Sequence, residues 1–256
     1  MAASFLDLTN ELLRELNEVA LTAGSFSGAV GIQAHIKDCV NRAYLDIVNE
    51  EPQWPFLAVQ ASGTVDPMYG NVSVETTEGT RWYLLKTGSA SATTDYGYID
   101  WDTFYLTTIG VSGETSPYIS RNLRYMTIEE WKDFYRVSEN IDDADSQNYG
   151  VPKAVIRSPD NRKFGLSPIP DKTYKVWFFA YVQPTQLTAY SDQVLIPITY
   201  KNVLMSRARF YALQFKENVQ AAALANEEYR QGLRKMRSQL MTPTPEYMKD
   251  DRMRFV

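Results

Sequence analysis

The apolar residues of the sequence follow a helical period at both ends of the chain and a strand-like pattern between them. Up to about Asn49 and again from about Ile198 they recur every three or four positions. The stretch from Trp54 onward holds short β-rich runs separated by Gly, Pro, Asp and Ser. The simplest packing brings the helices of the two ends into one layer and inserts the strands between them as a second lobe. The sequence therefore predicts an α+β fold.

Residues 1–52 are predicted to form a helical hairpin. Its first helix runs from about Leu6 to Leu21, and its second runs from Gly31 to Asn49 and is stopped by Pro52. Small residues link the two helices, which is typical of a turn between antiparallel neighbours.

The middle of the chain is predicted to be an antiparallel β domain in two parts, residues 53–125 and 150–197. The runs "VSVET", "RWYLLKT" and "TFYLTTIG" supply strands in the first part, and Gly88 to Tyr98 is expected to be an exposed polar loop. The second part is predicted to hold three strands, near Lys153 to Arg157, Lys163 to Ser167 and Tyr174 to Tyr181.

A short helix is predicted at residues 126–138, between the two parts of the β domain. Thr127 is a favourable N-cap, and Glu130 three residues later completes a capping box.

The strand from Tyr174 to Tyr181 has large side chains on both faces, since Val176 and Phe178 alternate with Trp177 and Phe179. Such a strand needs a cover on each side. We expect other strands on one face, and helices or a neighbouring subunit on the other.

The C-terminal part is predicted to be helical over residues 198–241, as one long helix of the same bundle or as a helix broken once. Two prolines follow, so residues 242–256 should form an extended arm.

Residues with familiar catalytic or ligand-binding chemistry are scarce. A single cysteine, Cys39, and a single histidine, His35, leave no disulfide framework and no zinc site, and one turn apart on a helix they are expected to be a packed pair. There is no phosphate-binding loop, and a calcium-like run fails at Asn148 and Ala154. We expect no enzyme activity, no metal and no cofactor, and no signal peptide or membrane span is recognisable.

The first part of the β segment is rich in aromatic residues, and they have two interpretations. They build the core or an interface, or they stack on sugar rings, as in a carbohydrate-binding module or a glycoside hydrolase. The set is Trp82, Tyr83, Tyr96, Tyr98, Trp101, Phe104 and Tyr105.

Charge is distributed unevenly, with 11 Lys and Arg against 6 Asp and Glu in residues 201–256 and 15 against 25 in residues 1–200. The basic end is either a solvated helix face or a surface that meets the acidic part of another copy or of a partner. Specific nucleic-acid binding is not favoured, because the chain as a whole is acidic.

Several short cues resemble the head-to-tail adaptor proteins of tailed phages, the tail tubular protein A class. They are "YGVP" before a strand, "LSPIPD" in a hairpin, an aromatic strand ending in "YVQP", a following "SD" and "IP", and a helix rich in Ala and Tyr. The "EPQWPFL" run after the first two helices agrees with this family as well.

The resemblance implies a structural virion protein of the neck or tail, assembled in the host cytoplasm. Such adaptors form a homo-oligomeric ring, expected here to have 12 copies, between the portal protein and the tail tube or nozzle protein, and tail fibres are a further expected contact. The genome DNA passes through the ring without specific binding. A carbohydrate-binding tail module and a tail glycoside hydrolase remain alternatives.

The resemblance also implies that the C-terminal arm reaches the portal. The residues expected at that interface are Tyr247, Met248, Lys249, Arg252, Met253, Arg254 and Phe255.

Overall fold

The computed structural model describes residues 3–58, 71–87, 94–108, 120–135 and 149–241. The chain divides into two compact units. Residues 1–56 and 185–256 form the helical unit, and residues 57–184 form the β unit. Helices and mixed sheets are both present, so the predicted α+β class is confirmed.

Two helices from each end of the chain make up the described helical unit. They are α1 (Phe5–Glu15), α2 (Ile32–Glu50), α4 (Lys201–Phe215) and α5 (Val219–Leu240). Helix α4 packs against α1, α2 and α5, and α1 packs against α2. Their buried stripes have the helical spacing seen in the sequence, with Leu8 and Leu12 on α1, and Ile36 and Val40 on α2.

Helix α1 ends at Glu15, well before the predicted end at Leu21. Asn17 lies in the left-handed region with φ 60°, which ends the helical path. The side chain of Asn10 then donates to the carbonyl of Leu21 at 2.9 Å and accepts from its N–H at 2.7 Å. Leu21 is therefore buried without being helical, which is why the apolar spacing extended the predicted helix too far.

Helix α2 agrees with the prediction to within one residue at each end. Gly31 precedes it with φ +61°, a conformation that favours glycine.

The C-terminal helical region is broken once, the second of the two possibilities left open by the sequence. A 3-10 turn, Ile198–Tyr200, leads into α4, and the break lies between Phe215 and Val219. Glu217 takes φ 59° there, and the side chain of Asn218 caps α5 by accepting from the N–H of Ala221.

The β unit contains eleven described strands and one helix. The strands are β1 (Asn71–Glu75), β2 (Trp82–Leu84), β3 (Lys86–Thr87), β4 (Thr94–Thr108), β5 (Ser120–Asn122), β6 (Arg124–Met126), β7 (Tyr149–Gly150), β8 (Ala154–Arg157), β9 (Lys163–Ser167), β10 (Ile169–Pro170) and β11 (Tyr174–Val182). A five-stranded sheet has the order β1-β11-β4-β3, with β5 also paired to β4. A four-stranded sheet has the order β2-β9-β8-β6, and β7 pairs with β10.

Two strand pairs are parallel, β6 with β8 and β7 with β10, so the expectation of a purely antiparallel domain is wrong. The short helix α3 (Ile128–Tyr135) follows β6 in the chain, and parallel strands need a longer connection than a hairpin turn. Its predicted capping box is confirmed: Thr127 Oγ1 accepts from the N–H of Glu130, and Glu130 accepts from the N–H of Thr127.

The expected loop at Gly88 to Tyr98 is wrong in its second half. Strand β4 already begins at Thr94, and Tyr96 and Tyr98 are register partners of Val182 and Tyr181 on β11. Residues 88–93 lie outside the described part of the chain.

The core of the β unit lies between its two larger sheets. Tyr174, Val176 and Phe178 of β11 are fully buried, and they share one cluster with residues of β4, β8 and β9. The ring of Phe178 lies 4.7 Å from that of Phe104 and 6.0 Å from that of Phe164 on the other sheet. The inner face of β11 is thus covered by other strands, as expected.

Helices α4 and α5 approach closely at Gly232, and this contact is testable. A Cβ at Gly232 would lie 2.9 Å from Val203 Cγ2. Alanine favours the helix by about 1 kcal/mol over glycine, but overpacking costs about 1–3 kcal/mol and the β-branched Val203 cannot rotate away easily. We expect Gly232→Ala to destabilise the protein by about 1 kcal/mol in urea unfolding.

The control for this prediction is the double variant Gly232→Ala/Val203→Ala. Because the smaller side chain removes the clash, its loss of stability should be less than the sum of the two single losses. An additive pair, or a stabilised Gly232→Ala, would contradict the close contact.

Candidate functional site

The basic residues of α4 and α5 form ion pairs with acidic residues of the N-terminal segment. The pairs are Lys201 with Glu11, Arg207 with Asp46, Arg209 with Glu15, Lys216 with Glu18, and Arg237 with Glu50 and Glu51. Arg209 donates from both Nε and Nη2 to the two oxygens of Glu15, at 2.9 and 2.8 Å. This fork raises the pKa of Arg209, chiefly through the hydrogen bond to Glu15.

This pairing explains the uneven charge of the sequence. The segments that form the helical unit contain 14 Lys and Arg against 15 Asp and Glu, whereas the β unit contains 12 against 16. The basic C-terminal helices therefore meet their acidic counterparts within the same chain. The alternative in which the basic end serves a second copy loses its main support.

Arg207 is the centre of a cluster that joins α2, α4 and α5. Its Nε donates to Asp46 Oδ2 at 2.9 Å, its Nη2 lies 2.9 Å from the same oxygen as an ion pair, and its Nη1 donates to Asn226 at 3.3 Å. The hydroxyl of Tyr211 donates to the same carboxylate oxygen of Asp46. Burial, and then this hydrogen bond, raise the pKa of Tyr211. The guanidinium carbon of Arg207 also lies 4.8 Å from the ring of Tyr211 and 4.9 Å from that of Tyr229.

Sequence reasoning missed this cluster. The only local signal is that Arg207 precedes Tyr211 by one helical turn, while Asp46 lies more than 160 positions away in the chain.

Removing the carboxylate at the centre of the cluster should be costly. Asp46→Ala leaves both Arg207 and Tyr211 without their shared acceptor in a partly buried place, so we expect a loss of about 2 kcal/mol in urea unfolding. The matched control is Glu18→Ala, which removes a more peripheral ion pair with Lys216 and should cost about 0–1 kcal/mol. Equal losses for the two variants would show that the cluster contributes no more than an ordinary surface pair.

The aromatic residues singled out in the sequence do not share one surface. Tyr83 and Phe104 are buried in the core, and Tyr96 and Trp101 pack against it. The ring of Trp82 lies over its register partner Gly165, where a Cβ would come within 2.9 Å of the indole. The remaining two, Tyr98 and Tyr105, belong to the outer face of the five-stranded sheet. The core interpretation thus holds for the buried part of the set.

The outer face of the five-stranded sheet carries cross-strand aromatic pairs. Tyr105 stacks on Trp177 at 6.0 Å with an interplanar angle of 5°, and Trp177 Nε1 donates to Thr107 Oγ1 at 3.1 Å. Lys175 Nζ lies 4.5 Å from the centre of the Trp177 ring. These side chains are half-buried, and cross-strand neighbours cover part of the outer face of this strand.

A cavity of ≈ 240 Å³ lies in the β unit, at the start of β4. It is lined by Tyr96, Gly97, Tyr98, Ile99, Trp101, Arg157 and Asn161. Arg157 Nε donates to Asn161 Oδ1, and its guanidinium lies 5.6 Å from the Trp101 ring. The cavity lies below the roughly 300–1,000 Å³ of typical small-molecule sites, and its lining offers no pair of nucleophile and base.

The comparison with protein families decides the identity. The sequence matches the family model described as SU10 adaptor protein over residues 3–253. The chain belongs to the SU10 adaptor protein family. The resemblance to phage adaptor proteins noted from the sequence is thereby confirmed. No curated protein matches the chain.

As a member of the SU10 adaptor family, the chain is a phage structural protein that contacts other proteins of the head and tail. Within the described part of this family member, no helix is long and apolar enough to cross a membrane. No group of three or more His, Cys, Asp or Glu side chains that could hold a metal ion occurs among the same residues.

The residues expected at the portal interface of this SU10 adaptor family member all lie outside the described part of the chain. They are Tyr247, Met248, Lys249, Arg252, Met253, Arg254 and Phe255. The first half of the calcium-like run that begins at Asp143 lies outside the described part as well, since the description resumes at Tyr149.

His35 and Cys39 are neighbours on α2, with 3.4 Å between Cys39 Sγ and His35 Nε2. The ring of His35 lies 4.0 Å from that of Phe215 at the end of α4. Burial, followed by the nearby charge of Asp38, raises the pKa of the Cys39 thiol to about 11. The pair therefore packs the helices together, and its sulfur is protonated at neutral pH.

Cys39 should react slowly with thiol reagents. Its pKa of about 11 lies well above the ordinary thiol value, so the thiolate fraction at pH 8 is lower by about 100-fold, and burial adds a further barrier. We expect Ellman's reagent to modify the folded protein at least about 100-fold more slowly than the same protein in urea. Equal rates in the two conditions would contradict the buried, protonated state.

Proposed function

We propose that this chain is a structural virion protein that forms the head-to-tail adaptor ring between the portal and the tail tube or nozzle. The observation that carries this proposal is the family match over residues 3–253 of a 256-residue chain. A match of that extent spans the helical unit and the β unit alike, so the proposal applies to both. The ring, expected to contain 12 copies, encloses a channel through which the genome passes.

The two units have separate tasks in this proposal. The helical unit, residues 1–56 and 185–256, gives each copy its rigid frame, and the β unit, residues 57–184, is the inserted domain. Support for a rigid frame comes from the ion pairs that join α1 and α2 to α4 and α5. The half-buried aromatic face of β11 gives the inserted domain a surface suited to the nozzle protein or a tail fibre.

The arm of residues 242–256 is the proposed portal anchor. Tyr247, Met248, Met253 and Phe255 supply apolar contacts, and Lys249, Arg252 and Arg254 supply charged ones. Burial of those apolar side chains against the portal would supply most of the binding free energy of such an anchor.

The channel requires weak attraction to phosphate, because tight contacts hinder DNA passage. Five cations of α4 and α5 are already paired with carboxylates of the same chain, which lowers their affinity for a polyanion. In this proposal the protein belongs to the virion neck, is assembled in the host cytoplasm, and lets the genome DNA pass without specific binding.

Electron microscopy and mass photometry of the purified protein with and without its portal test the proposal. We expect a closed ring that binds the portal, and a variant that lacks residues 242–256 should still form the ring but lose at least about tenfold in portal affinity. The matched control is Leu84→Lys, an exposed change in the β unit that keeps the whole anchor and should bind the portal normally. A strictly monomeric protein that ignores the portal would refute the adaptor function.

A carbohydrate-binding tail module is the second candidate, and one observation favours it. The cavity at the start of β4 brings Tyr96, Trp101 and the polar groups of Arg157 and Asn161 together at a size close to one sugar ring. Retention of the protein on a glycan array that is lost in Arg157→Ala would support this module. No retention would leave the adaptor function as the one candidate.

A further inference from the structure

The cavity at the start of β4 lies at the end of a stack of aromatic rings that begins in the core of the β unit. Phe104 stacks on Phe178 at 4.7 Å with an interplanar angle of 8°, and Trp101 stacks on Phe104 at 5.3 Å with an angle of 10°. The guanidinium of Arg157 lies 5.6 Å from the centre of the Trp101 ring. Arg157 is thus the outermost member of this stack, and it lines the cavity. We call this site the Arg157 cavity.

A hydrogen bond to Asn161 fixes the orientation of the guanidinium. Arg157 is the last residue of β8, and its Nε donates to Oδ1 of Asn161 in the turn that leads to β9. The turn is held in turn by the N–H of Asn161, which donates to the carbonyl of Ser158 at 3.0 Å. Because Nε is already engaged, the edge of the guanidinium left for a ligand is the pair Nη1 and Nη2.

The charge of Arg157 is not neutralised by the described residues, although acidic residues occur in the same turn and on β4. Asp160 Oδ1 accepts from the N–H of Arg162 at 3.1 Å, and Asp100 Oδ1 accepts from the N–H of Asp102 at 3.2 Å. Neither carboxylate forms an ion pair with Arg157. The cations of α4 and α5 that pair with carboxylates of their own chain are in a different situation, because Arg157 keeps its charge for a ligand.

The rest of the Arg157 cavity offers hydrogen-bond donors beside an apolar wall. Asn161 receives Arg157 through its oxygen, so its amide nitrogen is free to donate. Burial raises the pKa of Tyr96 to about 12, so its hydroxyl is protonated at neutral pH and is a donor as well. The side chains of Tyr96 and Ile99 pack against the core and supply the apolar wall. Such a lining suits a small ring that carries several oxygen acceptors.

We infer that the Arg157 cavity binds a hexuronic acid, a sugar that carries a carboxylate. The carboxylate accepts two parallel hydrogen bonds from Nη1 and Nη2 of Arg157 and compensates its charge. The hydroxyl oxygens of the ring accept from Asn161 and Tyr96. The inference rests on the carbohydrate-binding candidate, and it narrows the ligand from sugars in general to acidic ones.

Two other occupants fit the Arg157 cavity less well. A neutral sugar would cover the guanidinium without compensating its charge, which costs free energy. It would also find the Trp101 ring already packed against Phe104 and Arg157. An Asp or Glu side chain of a protein partner would pair with the guanidinium but would leave the amide of Asn161 and the wall at Tyr96 without a contact.

Titration calorimetry of the full chain with three small molecules tests the inference. They are a hexuronic acid (glucuronic or galacturonic acid), the neutral sugar glucose, and acetate, which is a carboxylate without a sugar ring. We expect at least one of the two uronic acids to bind at least about tenfold more tightly than glucose or acetate, because only the acidic sugar uses the guanidinium and the other donors together.

Variants at Arg157 identify the site of binding. Arg157→Ala and Arg157→Lys should each lose at least about tenfold in affinity for the uronic acid, the second because lysine keeps the charge but not the two-nitrogen fork. The matched control is Arg162→Ala, which removes the same charge from an exposed position in the same turn and should bind normally. Equal thermal midpoints for all four proteins exclude misfolding as the cause.

The outcomes separate this inference from the functions on which it builds. Glucose that binds as tightly as the uronic acids and is lost in Arg157→Ala would keep the carbohydrate module and overturn the acidic ligand. Acetate that binds as tightly as the uronic acids would overturn the sugar as the occupant. Binding of none of the small molecules, or unchanged binding in Arg157→Ala, would also overturn the inference. The adaptor function stands or falls separately, on the ring and portal measurements.

Discussion

The helical unit depends on contacts between the two ends of the chain. Helices α1 and α2 come from the first fifty residues and α4 and α5 from the last fifty-six, and the β unit separates them in sequence. Arg207, Arg209 and Arg237 connect the two pairs through carboxylates, beside a buried layer of Leu, Ile and Val. Apolar burial supplies most of the stabilisation. The charged groups define how the helices align along one another, because each cation pairs with a particular carboxylate.

The β unit depends on a different interaction, the packing of side chains over both faces of one central strand. Strand β11 lies between β1 and β4, and its inner side chains fill the space between two sheets. Its outer side chains pack on their neighbours: the ring of Trp177 stacks on Tyr105 and contacts Lys175. Stacked rings lose little conformational freedom on contact with another protein, so a partner that covered this surface would pay a lower entropy cost than one that covered long flexible side chains.

Local signals in the sequence predicted local structure well. Thr127 and Glu130 identified the start of α3, and the strand from Lys163 to Ser167 has the predicted bounds, because caps and alternation act over a few residues. Features set by distant residues were missed. Asn10 holds the chain after α1 by bonding Leu21, the parallel pairing of β6 with β8 depends on where α3 returns the chain, and Asp46 meets Arg207 only in the folded unit. The exposed ends of the helices were equally unpredictable, since exposure depends on which residues the other helices cover.

The wide separation of the two helix pairs affects synthesis. Helices α1 and α2 are synthesised before the β unit, and α4 and α5 after it, so the apolar stripe of α2 waits for α4 until the whole β unit has been translated. Contacts of such high sequence separation form slowly, and an uncovered stripe attracts chaperones or other nascent chains in the meantime. Truncated products that stop before α4 therefore leave the stripe of α2 without its α4 cover.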